Sequence, residues 1–281
     1  MEQLIGRAAR DLVDAKYAIA LTGAGISTES GISDFRGPQG VWTKNPEAER
    51  RAYQGYQRFV QDPKSWWEDR LANPGLLGDL GAVMPNVGHY ALVELETLGI
   101  IKCVITQNVD ALHEKAGTRR LLEYHGSTAK LRCVSCGSRF SRDEFDLQKL
   151  LEDNQLPPHC PTCRGVVKSD GVSFGEPIPS DVAHQSLEEA RKCDLMLICG
   201  TSAVVYPFAN LPRIAGERRA EMARKTGTGI SAMEKISAVT IIEVNADPTP
   251  LTEEGVSDYL IQGKTGEILP AIVEEVKRLR K

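Results

Sequence analysis

Tyr17-Ala-Ile-Ala-Leu-Thr-Gly-Ala-Gly-Ile-Ser27 decides the fold. Its first five residues are a short apolar run, the signature of a strand buried on both faces of a parallel sheet. That run feeds Thr22-Gly-Ala-Gly25, and a strand running into a glycine-rich turn opens a nucleotide-binding α/β unit. Three further runs share the character: Ile100–Ile105, Asp194–Cys199 and Val239–Val244. Each ends in a polar or glycine-containing loop, namely Thr106-Gln-Asn, Gly200-Thr-Ser and Asn245-Ala-Asp. Helical spacing precedes the four runs, at 2–16, 86–98, 180–192 and 217–225. Alternating helices and strands imply a parallel sheet covered on both faces. Ligands of such sheets bind beyond the carboxyl ends of the strands, so the four loops are expected to converge on one cleft.

Working outward, two stretches break the alternation. Residues 43–80 are polar, helical and rich in Arg, Gln and Trp, and residues 128–175 hold two C-x-x-C pairs among turn signals. The expected organisation is therefore α/β: a Rossmann-like parallel-sheet domain over 1–42, 81–127 and 176–281, a helical insertion over 43–80 and a small zinc-binding module over 128–175. The segment 224–232 reads as a flexible loop.

The 281 residues suit such an architecture, and 34 basic against 38 acidic side chains leave a net charge of −4. That balance offers nucleic acid no broad basic surface. No apolar run is long enough to span a bilayer, and the acidic N-terminus has no apolar signal core, so an intracellular, cytoplasmic protein is expected. Seven cysteines, four of them in C-x-x-C pairs, point to metal rather than disulfides.

Cys133, Cys136, Cys160 and Cys163, with 23 residues between the pairs, supply the four thiolates of a tetrahedral zinc site. Four protein ligands leave no open position, so that zinc is structural. His159 is the weaker rival ligand and is expected to be exposed. Cys103, Cys193 and Cys199 lie in or beside buried strands and read as small apolar side chains. The module's basic residues Lys130, Arg132, Arg139, Arg142, Arg164 and Lys168 are nearly cancelled by its acids, which weighs against a nucleic-acid-binding ribbon.

The glycine turn is not G-x-G-x-x-G, and no acid stands where a dinucleotide fold holds its ribose. Taken alone, the turn leaves a pyrophosphate cradle and a plain tight turn both open. Asp34-Phe35-Arg36 lies between glycines, where an aromatic and a guanidinium can cover a ligand, although a surface loop reads the same way. Asn108 and Asp110 close the second strand two residues apart. Among five histidines, His89, His113 and His184 sit in helical contexts, whereas His125 sits in a turn beside Gly126 and suits general-base work.

Together these pieces resemble the sirtuin family of NAD-dependent protein-lysine deacylases. The matching segments occur in the family's order: Gly23–Ser27 with Asp34–Arg36, Thr106–His113, Tyr124–Gly126, the two cysteine pairs, Val172–Glu176, Gly200–Ser202 with Val205–Pro207, and Val244–Asn245. The resemblance implies that Gly23, Ala24, Gly25, Thr28, Asp34 and Arg36 line the NAD diphosphate and ribose. Gln107, Val109, Gly200, Thr201, Ser202, Asn245 and Lys264 are implied in the same cofactor site. Ser27, Asn108 and Asp110 would form the nicotinamide pocket, and Phe35 would shield the anomeric carbon. Val172, Phe174, Gly175 and Glu176, with Val205 and Tyr206 opposite, would bind substrate backbone as a strand. His125 would take a proton from a ribose hydroxyl, with Asn108 beside it in the chemistry. NAD is consumed as co-substrate, zinc is structural, and the partners are acyl-lysine proteins or peptides, with no membrane and no specific nucleic acid.

Two departures stand out. Ser33 occupies the place of a common proline, and Arg70 and Asn73 fall where succinyl- and malonyl-specific members carry a Tyr/Arg pair, which favours uncharged acyl groups, acetyl above all. A mono-ADP-ribosyltransferase on the same scaffold, a long-chain deacylase and a non-catalytic zinc-ribbon module are the alternatives. A hydride-transferring dehydrogenase ranks lower on glycine spacing.

Overall fold

The computed structural model describes residues 1–73, 80–217 and 239–281. The helix expected at 217–225 and the loop expected at 224–232 lie outside the described residues, apart from Glu217.

Six strands build one wholly parallel sheet: β1 (Ala18–Thr22), β2 (Ile101–Thr106), β3 (Leu121–Glu123), β7 (Leu195–Cys199), β8 (Thr240–Asn245) and β9 (Tyr259–Gln262). They lie in the order β3-β2-β1-β7-β8-β9. Counting only this sheet, that is 3-2-1-4-5-6, the order of doubly wound dinucleotide-binding folds, which reverses direction between β1 and β7. The crevice at that reversal is where such sheets bind ligands.

Side-chain alternation along β1 explains the two cores. Ala18 and Ala20 face helices α1 (Glu2–Asp14), α6 (Val87–Thr97) and α12 (Thr265–Leu279), joining Leu12, Leu92, Leu95 and Ile272. Ile19 and Leu21 face the opposite layer, with Ala190 of α9 (Ser180–Lys192), Phe208 and Leu211. The strands expected at the four apolar runs are all present. β3 and β9, at the two edges, were not foreseen.

The stretch after β1 folds into α4 (Pro46–Gln61) and α5 (Pro63–Ala72). Each starts with proline behind an Asn or Asp cap, and Asp62 accepts from Lys64 and Ser65 N–H at 3.1 Å. The cysteine-bearing stretch forms an antiparallel sheet in the order β5-β4-β6, from β4 (Lys130–Cys133), β5 (Arg139–Ser141) and β6 (Val167–Ser169). The two stretches share one small core. Trp67 of α5 is fully buried against Leu131, Leu147, Leu156 and Val167, and its indole N–H donates to Val167 O at 3.0 Å.

The charges of this small lobe differ from the solvated face that residue type suggests. Lys168 is buried, Arg132 nearly so, and Lys130, Arg132, Arg139 and Lys168 all pair with carboxylates within the fold. Burying a cation is tolerable only with such partners.

Candidate active site

The carboxyl ends of β1, β2 and β7 meet backbone to backbone. Gly23 N–H donates to Cys199 O, Gly25 N–H to Gly200 O at 2.8 Å, and Gln107 N–H to Thr22 O. The approach leaves no room for side chains. A Cβ on Gly23 would lie 2.4 Å from Gln107 Nε2, and one on Gly200, whose φ is +60°, would lie 2.3 Å from Ile26 N. The glycines thus have a structural cause, the abutment of two strand-end turns, whichever ligand sits above them.

Polar side chains then form a chain across the cleft. Gln107 Nε2 donates to Thr201 Oγ1 at 2.8 Å, and Asn108 Nδ2 donates to Gly23 O at 3.0 Å and Ser27 Oγ at 3.1 Å. Ser27 Oγ donates in turn to Asp110 Oδ2 at 2.7 Å, while Asp110 Oδ1 accepts Leu112 N–H. Ser27, Asn108, Asp110 and Thr201 are all buried. Gln107 Oε1 is a buried acceptor with no partner among the described residues, so the cleft offers an unanswered acceptor to a hydroxyl donor.

His125 follows β3 in a turn. Its Nδ1 lies 3.0 Å from Gln107 O, and because a carbonyl only accepts, Nδ1 carries the proton and Nε2 holds the free lone pair. Burial pulls its pKa below the usual 6.5, the carbonyl opposing, so the ring is neutral near pH 7. Gly126 beside it has φ +71°, and a Cβ there would strike Asp170 O at 2.2 Å. Val172 N–H donates to His125 O at 2.8 Å, which ties the 172–176 segment to the histidine turn.

The other expected residues fall into place unevenly. Thr28 Oγ1 donates to Gly25 O, Asp34 Oδ1 accepts Gly37 N–H, and Val109 O accepts Thr128 N–H and Oγ1. Phe35 packs against Trp42 with the rings tilted and their centres 4.8 Å apart, and Arg36 lies over the same indole at 4.4 Å, 3.9 Å from Glu49. Asn245 is half-buried and donates to Asp247 O at 3.0 Å. Lys264 is exposed beside Glu267 at the start of α12. Ser202 and Tyr206 are exposed, and Val205 is half-buried. Phe174 is half-buried and Gly175 exposed with φ +79°. The Glu176 carboxylate, expected beside substrate, turns inward to Arg132 and Lys168.

Three features escaped the sequence reading. Trp42, 5.6 Å from Phe174, links the Phe35 loop to the 172–176 segment, and Tyr53 stacks on Phe174 at 4.3 Å. A tryptophan soon after a glycine-flanked aromatic was the available signal. His89 and His113, both buried, meet edge to face at 4.8 Å, and His113 Nε2 lies 2.8 Å from Thr22 Oγ1. Burial depresses their pKa values to about 4 and about 3.

The four expected metal ligands come together. The Cys133, Cys136, Cys160 and Cys163 sulfurs lie within 4.8 Å of one another, with Cys133–Cys163 at 3.5 Å and Cys136–Cys160 at 3.7 Å. A zinc tetrahedron with bonds of roughly 2.3 Å has edges near 3.8 Å, so the donor set fits zinc. His159 is exposed and binds Arg164 O instead, and none of the seven cysteines forms a disulfide. Burial pushes the Cys103 thiol up to about 12 and the Cys199 thiol upward as well, which makes both poor nucleophiles.

Residues 23–207 match the sequence model of the Sir2 family. The chain is similar to NAD-dependent protein deacylase 2 of Archaeoglobus fulgidus, 42% identical over 283 residues that cover 100% of this chain and 99% of that protein. It is 38% identical to the NAD-dependent protein deacylase of Pyrococcus abyssi, covering 98% of this chain and 99% of the other. Among solved structures, a Sir2 homolog–NAD complex superposes with a TM-score of 0.71 at 34% identity, covering 100% of this chain and 95% of that one. Sir2Af2 bound to a myristoylated histone peptide gives 0.64 at 36% identity, covering 100% and 99%.

Proposed function

The chain belongs to the Sir2 family, and from that premise we propose how its cleft carries out NAD-dependent removal of acyl groups from protein lysine side chains. The products are nicotinamide, O-acyl-ADP-ribose and free lysine. NAD supplies the ribose carbon to which the acyl oxygen transfers, and zinc, held by the four cysteines, is structural.

The observation that carries the reading is His125. Its Nδ1–H is anchored on Gln107 O, so Nε2 is left as a neutral base on a ring that burial keeps uncharged. In our reading it accepts the proton of a ribose hydroxyl. Asn108, held on Gly23 O and Ser27, stands with Ser27 and Asp110 as the nicotinamide pocket. The unanswered Gln107 Oε1 supports a hydroxyl donor in the same place. Gly23, Ala24, Gly25, Thr28, Asp34, Arg36, Val109 and Gly200–Ser202 are assigned to the diphosphate and ribose, and Asn245 and Lys264 to the adenosine end. Phe35, backed by Trp42, is placed to exclude water from the reacting carbon. Val172, Phe174, Gly175 and Glu176 on one side, and Val205 and Tyr206 on the other, would take the peptide as a strand. The chain divides into a sheet domain over 1–42, 81–127 and 176–281, a helical insertion over 43–80 and a zinc-binding module over 128–175.

For the acyl group we favour acetyl. Arg70 is engaged by Ser169 Oγ at 3.4 Å and by the Trp66 ring at 5.1 Å, and Asn73 bonds Asp69 O, so neither is arranged as an acid-binding pair. Transfer of ADP-ribose to a side chain finds no support among these relatives. Among the described residues no helix is long and apolar enough to cross a membrane. Thiols kept out of disulfides support a cytoplasmic setting.

The test is a panel of acetyl- and long-chain-acyl-lysine peptides incubated with NAD and zinc-loaded protein. Nicotinamide release with matching loss of acyl mass is expected. Folded protein that deacylates none of them contradicts the reading.

A further inference from the structure

The small lobe contains a string of buried charges that the chemistry above does not use. Lys168 is 1% exposed, and its Nζ lies 3.1 Å from Glu176 Oε2 while donating to Ser169 O at 2.8 Å and Gly171 O at 2.6 Å. The Glu176 side chain is 4% exposed. Its Oε1 accepts Arg132 Nη2 at 2.7 Å, and its Oε2 also accepts Ser173 N–H at 2.9 Å. Arg132 continues the string, donating from Nε to Asp170 Oδ1 at 3.0 Å. Asp170 takes Arg139 Nε at 3.3 Å and, on Oδ2, Ser127 N–H at 3.1 Å, two residues past His125. Arg132 immediately precedes the zinc ligand Cys133 in β4.

The string therefore starts at the cysteine cluster and ends at both sides of the cleft. One end, through Asp170, holds the turn of His125. The other, through Glu176, folds the 171–176 segment around a carboxylate that points away from the cleft. Ion pairs this deep are seldom a gain in stability over apolar packing, because desolvation opposes them. What they supply is a fixed geometry, since the Glu176 and Asp170 carboxylates are each held by several donors at once: Lys168, Arg132 and Ser173 N–H on Glu176, and Arg132, Arg139 and Ser127 N–H on Asp170.

We infer that Lys168 and Glu176 are positioning residues whose buried pair, completed by Arg132 and Asp170, locks the 171–176 segment to the zinc-bearing sheet and so sets affinity for the acyl-lysine peptide. The inference rests on that segment being the substrate strand, as proposed above. The zinc-bearing sheet thus acts on peptide binding through this pair, which sets the 171–176 segment.

Glu176→Gln tests it with little change of volume. The amide keeps one oxygen for Arg132, but its NH2 meets two donors, Ser173 N–H and Lys168 Nζ, so the latch opens while the Arg132 side persists. Peptide binding, read by fluorescence polarisation of a labelled acetyl-lysine peptide on zinc-loaded full-length protein, weakens about tenfold, and the peptide KM follows. The KM for NAD stays within about twofold and zinc content is unchanged. The double variant Lys168→Met with Glu176→Gln removes the stranded buried cation and keeps the test available if the single variant does not fold. Its thermal midpoint recovers toward wild type, and its peptide affinity stays weak. If peptide affinity returns along with the midpoint, the pair is structural only and the inference is overturned. Equal losses for NAD and peptide overturn it as well. A wild-type chain that binds no acyl-lysine peptide sinks the functional reading, and this inference falls with it.

Discussion

The large sheet and the small cysteine-bearing lobe hold their parts of the cleft by opposite means. The sheet side is fixed by apolar burial on both faces and by glycines that let β1 and β7 ends touch, as at Gly25 and Gly200. The lobe side has one modest cluster around Trp67, Leu131 and Val167, and it is completed by four thiolates and buried ion pairs. A lobe with so little core needs a metal and charges to take one shape. Each means of support goes with a different substrate. NAD is assigned to the apolar-supported side, and the peptide to the seam between that side and the lobe held by ions.

Removing zinc separates the two most sharply. Chelation is expected to abolish deacylation while binding of an NAD analogue persists, because no thiolate supports β1, β7 or their loops. Loss of both together, measured by calorimetry with the analogue, would blur the comparison. His125→Ala comes next. The turnover number falls by roughly 10²–10⁴, with melting unchanged, because a proton acceptor is lost and a half-buried ring leaves little void. With His125 intact, the acid limb of kcat/KM lies below pH 6.5, in keeping with its depressed pKa. Unchanged turnover in the variant removes the base assignment.

Much of this was legible in the sequence, and the reasons for the exceptions are physical. β1, β2, β7 and β8 are buried on both faces, and such strands advertise themselves as continuous apolar runs. β3 and β9 are edge strands of three and four residues in which Ile261 is the one fully buried side chain, too short to show a period. The cysteine quartet was legible because two C-x-x-C pairs have few other uses. Lys168 and Arg132 entered the sequence reading only as part of the module's charge balance, and their pairing with Glu176 and Asp170 shows only once β4 pairs with β6. Trp42 and Tyr53 face a segment more than a hundred residues away in the chain, so no local spacing announces them.

Two effects on stability rather than on turnover probe the sheet side alone. Gly200→Ala is expected to cost about 2–3 kcal/mol, from a left-handed backbone and a Cβ forced against Ile26 N, read from denaturant midpoints. A neutral result would mean that the β1–β7 junction can open. Acid acts through His89 and His113. The fold holds both rings neutral, with values of about 4 and about 3, so below pH 6.5 the unfolded chain binds more protons than the folded one. Stability is fully present above pH 6.5 and falls as pH drops toward 4, by about 1.4 kcal/mol per pH unit for each histidine. Replacing both by apolar residues should flatten that slope, and a slope that survives the replacement assigns it elsewhere.

The most direct measurement is a crystal structure of the zinc-loaded protein with an acetyl-lysine peptide and a non-reacting NAD analogue. His125 Nε2 is expected within about 3 Å of a ribose hydroxyl, with the peptide paired as a strand to Val172–Glu176. A ribose bound out of reach of His125, or a peptide lying elsewhere, would contradict it.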